Sequence, residues 1–122
     1  MRKRLFGKTK DLTHLQLQEL LNIKKLDYIK IIVLFGSRAD NTQHIQSDYD
    51  FAVYAKESFQ YGWGVISEVW NDIGEVLDLA EYDYDIVDLA YANRSIIGSI
   101  KENYVLLKGD RDELQRLFAQ YD

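Results

Sequence analysis

"KIIVLFGSRADNTQHIQSDYDFAVYA", residues 30–55, is the stretch on which the fold turns. Residues 30–35 are β-branched and apolar after Lys30 and predict a buried strand. Gly36-Ser37 breaks the run, and Ser37 to about Asn41 predicts a short helical turn. Residues 48–55, "DYDFAVYA", predict a second strand, joined to the first closely enough for the two to be neighbours. Their relative direction is left open. Two aspartates, Asp48 and Asp50, stand at the head of this second strand although aspartate is a poor strand former.

Residues two apart in a strand project to one side, so Asp48 and Asp50 project together. Carboxylates this close repel, and one stays protonated unless a cation sits between them. An oxygen-only donor set suits magnesium, which also takes oxygens from substrate phosphates. The Gly-Ser step supplies the complement. Gly36 lets a phosphate approach the backbone, and Ser37 offers a hydroxyl and an N–H at the start of a helical turn. A Gly-Ser turn is also the composition of a plain helix cap, and Asp-x-Asp that of a solvated strand end. Their succession on consecutive strands is what points to phosphate chemistry.

Outward from this stretch, residues 11–28 carry a helical pattern in which Leu17, Leu20 and Leu21 share a face, Lys24 interrupts and Tyr28 resumes. Residues 59–80 predict the longest helix, with Trp63, Ile66, Trp70, Ile73, Leu77 and Ala80 in one apolar stripe. The two tryptophans read as core, not as base-stacking platforms. "YDIVDLAY", residues 84–91, predicts a third strand. A helix begins near Asn93, with Ile96, Ile97, Ile100 and Tyr104 on one face. "VLLK", residues 105–108, is a short strand or a helix end. A last helix follows Asp110, which with Glu113 resembles a capping box, and buries Leu114, Leu117, Phe118 and Tyr121. The fold class is α/β (α+β): a small sheet covered by helices.

A third carboxylate would complete a two-metal site for in-line phosphoryl transfer. The third strand offers Asp83, Asp85 and Asp88, of which alternation puts Asp83 and Asp85 on one face and Asp88 on the other. Asp85 enters its apolar run as Asp48 and Asp50 enter theirs, and is the choice. It would bind the second metal and orient or deprotonate an attacking hydroxyl.

The chain has 122 residues with 47% apolar content, which fits a single domain over 1–122 with one core and no second acceptor-binding domain. It has no cysteine and two histidines, His14 and His44, which excludes disulfides and thiolate zinc sites. A net charge of −5 argues against nucleic acid as a direct partner. Residues 1–10 form a basic segment without a following apolar stretch, read as a solvated, mobile tail, and no membrane span is expected. The expected location is the cytoplasm.

"GSRA", the step from Ser37 to "SDYD", and the later "DIVDL" resemble the minimal nucleotidyltransferase (MNT) family of the DNA polymerase β-like superfamily. The resemblance covers roughly residues 30–108 and implies a small mixed nucleotidyltransferase-type sheet. It implies that Gly36 and Ser37 contact a nucleoside triphosphate, with Arg38 adding positive charge. It further implies that Asp48, Asp50 and Asp85 are the catalytic acids and hold two Mg2+ ions, with ATP as substrate. Where family members commonly read Gly-Ser-x-Ala-Arg-Gly, this chain has Asp40 and Asn41. Asn tolerates the left-handed backbone that Gly would supply. Many small members are prokaryotic antitoxins paired with a HEPN-domain ribonuclease toxin. The resemblance therefore implies a protein adenylyltransferase that moves AMP from ATP to a toxin hydroxyl, a tyrosine's. Asp40 keeps open a non-catalytic antitoxin acting by stoichiometric binding. A small-molecule transferase acting on an aminoglycoside-like hydroxyl is the remaining alternative.

Overall fold

Ile29–Phe35 forms β1, and every residue from Ile31 to Leu34 is fully buried. A strand buried on both faces must lie inside a sheet covered on both sides, and β1 does. It pairs antiparallel with β2 (Tyr49–Ala55) on one side and antiparallel with β4 (Tyr104–Lys108) on the other. β2 in turn pairs parallel with β3 (Tyr84–Asp88), which gives a mixed four-stranded sheet in the order β3-β2-β1-β4. This computed structural model describes residues 10–42, 47–55 and 63–121. The basic segment 1–9, His44 and the expected helix start at 59–62 lie outside the described residues, as does the side chain of Trp63.

The helices are α1 (His14–Leu21), α2 (Trp63–Leu77), α3 (Arg94–Glu102) and α4 (Arg111–Ala119). Leu17 and Leu21 of α1 and Val69, Ile73 and Leu77 of α2 pack on the face that carries Ile32, Leu34, Phe51 and Val53. Ile97, Ile100, Leu114, Leu117 and Phe118 of α3 and α4 pack on the opposite face, with Ile31, Val33 and Ala52. The α2 stripe thus reaches the core at Ile73 and Leu77, with Ile66 and Trp70 half-buried beside it. Trp70 serves packing, as expected. Its ring lies 5.4 Å from that of Tyr84, whose hydroxyl donates to the Trp70 carbonyl at 2.7 Å.

Local chemistry accounts for the ends of the elements. Thr13 and Gln16 form a reciprocal capping box at α1. The Asn93 and Asp110 side chains accept from the N–H groups of Ile96 and Glu113 and start α3 and α4. The helical pattern over 11–28 resolves into a shorter helix. Asn22 ends it, its amide donating to the carbonyls of Gln18 and Leu107, and a single 3-10 turn (Lys24–Leu26) follows. α2 stops at Leu77 rather than at 80 because Asp78 takes φ 55° and the N–H groups of Asp78 and Leu79 close back on Glu75 and Gly74. β3 ends at Asp88, whose carboxylate and carbonyl accept from the N–H groups of Ala90 and Tyr91. Residues 105–108 lie within strand β4.

Candidate active site

The register brings one row of side chains together across the sheet. Phe35 lies opposite Asp50 on one side and Tyr104 on the other, and Asp50 lies opposite Asp85. Directly paired residues project to the same face, here the face covered by α3 and α4, where Phe35 and Tyr104 pack. Asp85 is thereby set beside Asp50, and Asp48 precedes it by two residues. Asp88 lies opposite Val53, three rungs away, and ends its strand in a turn. Asp83 is buried and accepts from the Ala80 N–H at 3.2 Å. Of the third-strand acids, Asp85 is the one that faces Asp50.

Burial pushes the Asp50 carboxyl up to about 6, and the neighbouring charges of Asp85 and Asp48 push it the same way. As they stand, no three acidic or histidine side chains among the described residues are gathered closely enough to hold an ion. The donor set nonetheless fits magnesium. It is all oxygen, it is partly enclosed, and its central carboxylate carries an unfavourable charge that a divalent cation would relieve.

Gly36 follows β1 directly and takes φ 77°. A Cβ at this position would stand 2.5 Å from Asp50 Oδ2, so the Gly-Ser turn and the acid occupy adjoining space that only glycine leaves open. The Gly36 carbonyl accepts from the Ala39 N–H at 3.0 Å and closes the turn. Among the described residues the Ser37 hydroxyl makes no hydrogen bond, whereas its carbonyl accepts from the Thr42 N–H at 2.9 Å. Asn41 takes φ 61°, so the asparagine does occupy the left-handed conformation. Asp40 is exposed, and its carboxylate accepts from the N–H and hydroxyl of Thr42. The acid thus caps its own turn.

Arg38 goes elsewhere. Its guanidinium is buried, donating to the Ser47 carbonyl (2.9 Å), Asp11 (3.1 Å) and the Tyr49 hydroxyl (3.2 Å), with Cζ 4.2 Å from the Tyr49 ring centroid. Tyr49 belongs to the opposite face of the sheet from Asp50. Arg38 therefore grips the loop from below, and His14 Nε2 donates to the Arg38 carbonyl at 2.8 Å. A groove of about 440 Å³ opens along Asp11, Thr13, His14, Arg38 and Asn41. It contains none of the three acids. The coupled carboxylates, not the cavity, mark the candidate site.

Sequence reasoning missed two contributors. The Tyr49 hydroxyl accepts from the Leu12 N–H and donates to the Lys10 carbonyl, both at 2.7 Å, which pins residues 10–12 beside the loop. Alternation alone could have placed Tyr49 on the face away from the acids, but not its partners. Asn103 Nδ2 donates to the Gly36 carbonyl at 3.3 Å. An asparagine after a helix carries no signal of a contact so far away in sequence.

The polymerase beta, nucleotidyltransferase family model matches residues 16–113. The chain is 30% identical over 100 residues to the protein adenylyltransferase MntA of Aphanizomenon flos-aquae, covering 77% of this chain and 67% of that protein. A chain in the crystal structure of a toxin–antitoxin with AMP-PNP matches with a TM-score of 0.66 and 27% identity, over 90% of this chain and 84% of that one. A chain in the structure of a tri-AMPylated Shewanella oneidensis HEPN toxin in complex with MNT antitoxin matches with a TM-score of 0.60. Its 21% identity, over 88% of this chain and 79% of that one, shows the common fold.

Proposed function

The chain belongs to the polymerase beta, nucleotidyltransferase family, and from that membership we propose that it is a protein adenylyltransferase antitoxin. It moves AMP from ATP to a tyrosine hydroxyl of a partner HEPN ribonuclease toxin. The observation that carries the reading is the Asp50–Asp85 rung directly against Gly36, with Asp48 close enough to raise the same carboxyl. Partly buried carboxylates crowded beside a glycine turn gain nothing as core, and their unfavourable charge is what a bound cation would relieve. The adenylyltransferase MntA and the AMP-PNP-containing toxin–antitoxin structure supply the nucleotide and the class of partner.

In this reading the Gly36-Ser37 turn receives the triphosphate through its backbone N–H groups and the Ser37 hydroxyl. Asp48, Asp50 and Asp85 would hold two Mg2+ ions. The ions, when bound, would neutralise the triphosphate and the charge that develops on transfer. Asp85 orients the acceptor hydroxyl and takes its proton. The tyrosine oxygen bonds to the α-phosphorus, the bond from that phosphorus to the oxygen bridging to the β-phosphate breaks, and pyrophosphate leaves. Arg38 contributes by holding the loop in place, since its guanidinium is committed to Asp11, Ser47 and Tyr49. No helix among the described residues is long and apolar enough to cross a membrane, and we place the reaction in the prokaryotic cytoplasm, where ATP is available.

The test is transfer of label from ATP carrying a radioactive α-phosphate. The protein is incubated with Mg2+ and the product of the adjacent gene, with Asp50→Asn as control. Label on the toxin that disappears in the variant is the expected result. A toxin bound and silenced equally by both proteins, with no label, would replace this reading with inhibition by binding alone.

A further inference from the structure

The Gly36-Ser37 peptide is the part of the phosphate turn with the most freedom to be wrong. Glycine takes positive and negative φ about equally well, so a peptide unit beside it can rotate with little steric resistance. The unit is planar and trans, which fixes the Ser37 N–H opposite the Gly36 carbonyl. Whatever holds that carbonyl therefore aims the N–H that the proposed function assigns to the triphosphate.

Two donors hold it. One is local, the Ala39 N–H at 3.0 Å. The other is Asn103 Nδ2 at 3.3 Å, from the corner between α3 and β4. That corner is itself held. The Asn103 N–H donates to the Ile100 carbonyl at 3.1 Å, and the next residue, Tyr104, forms the rung with Phe35, immediately before Gly36. Asn103 thus stands one residue from the strand pairing and reaches across to the turn from a rigid base. Its backbone, at φ −160° and ψ 100°, is extended, so the side chain leaves the helix rather than capping it.

We infer that Asn103 is a positioning residue for the nucleotide turn, clamping the Gly36 carbonyl so that the Ser37 N–H stays directed at the triphosphate. The inference rests on the proposed nucleotide site, but not on the identity of the acceptor. A neutral hydrogen bond of this kind contributes about 1 kcal/mol, which converts to about a 5-fold change in affinity.

The experiment compares the parent protein with Asn103→Ala and Asn103→Gln. Binding of AMP-PNP with Mg2+ is measured by calorimetry, label transfer to the toxin by its kcat and KM for ATP, and folding by Tm. The expected outcome for Asn103→Ala is a rise of about 5-fold in both Kd and KM, with kcat within about 2-fold and Tm lowered by only a few degrees. Asn103→Gln, which keeps the amide donor, should recover most of the loss. Unchanged Kd in Asn103→Ala overturns the inference. So does a loss in which both variants fall equally in Tm and affinity, because that is a packing role. If the parent binds AMP-PNP but labels no toxin, the adenylyltransferase reading fails while the calorimetry still decides the role of Asn103. A parent that binds no nucleotide overturns both.

Discussion

Replacing Asp50 with Asn should make the metal-free protein more stable while removing its response to nucleotide. The side chain keeps its shape and loses its charge. In the folded chain the Asp50 carboxyl is pushed from the ordinary 3.8 to about 6, by burial and by Asp85 and Asp48. At 1.36 kcal/mol per pH unit this is about 3 kcal/mol of unfavourable charge, and solvent screening at this partly open site brings it to about 1–2 kcal/mol. The sign follows from linkage. Below the unfolded value the carboxyl is protonated in both states and has no effect. As pH rises, the unfolded chain ionises first, so folded stability falls between about pH 4 and pH 6 and stays lowered above. The Tm of Asp50→Asn in chelator at about pH 7.5 should therefore exceed that of the parent by about 3–10 °C. Near pH 4 the gap should shrink toward zero. With Mg2+ and AMP-PNP at about 100 times Kd, the parent should gain about 2.7 kcal/mol and the variant much less. A variant that melts at or below the parent at about pH 7.5 in chelator would refute the crowding of charge at this site. A gap independent of pH would refute its origin in Asp50.

Other perturbations separate the parts of the site. Gly36→Ala places a Cβ at φ 77° and 2.5 Å from Asp50 Oδ2. It should cost about 1–3 kcal/mol in a denaturant titration and slow label transfer by at least about 100-fold, and parental kinetics would show that the turn does not touch the chemistry. Asp85→Asn should slow transfer by at least about 100-fold, whereas Asp88→Asn should lose about 1 kcal/mol of stability and keep its rate. Equal loss of rate in the two would undo the choice of third acid. Arg38→Ala removes the buried fork from Ser47, Asp11 and Tyr49 and should cost about 2–4 kcal/mol of unfolding free energy in a urea titration. Arg38→Lys should recover little of this, because an ammonium cannot reproduce the fork. A change under about 0.5 kcal/mol would mean that the contacts to residues 10–12 do not hold the loop.

Much of this molecule was legible without coordinates. β1 and β2 follow from two apolar runs interrupted by Gly-Ser and headed by paired aspartates. The starts of α3 and α4 follow from Asn93 and Asp110, and the left-handed turn residue from Asn41. Each of these depends on a residue and its near neighbours, where steric limits and short hydrogen bonds act whatever the rest of the chain does. The stripe of α2 follows for a related reason: a 3.6-residue period puts Ile66, Trp70, Ile73 and Leu77 on one side of any helix they form.

The tertiary structure decided what faces what. It turned residues 105–108 into strand β4, set β1 antiparallel to β2 and β2 parallel to β3, and put Asp85 rather than Asp83 or Asp88 opposite Asp50. It also drew Arg38 under the loop to Tyr49 and brought Asn103 to Gly36 across 67 residues of chain. No local pattern encodes these choices. A strand's register and partner are settled by the core that all the elements bury together, and a shift of one residue would send every side chain to the other face. The sequence by itself therefore singled out the paired aspartates and the Gly-Ser turn as candidates for a metal and a phosphate. Their placement side by side had to wait for the sheet, because it depends on packing between segments far apart in the chain.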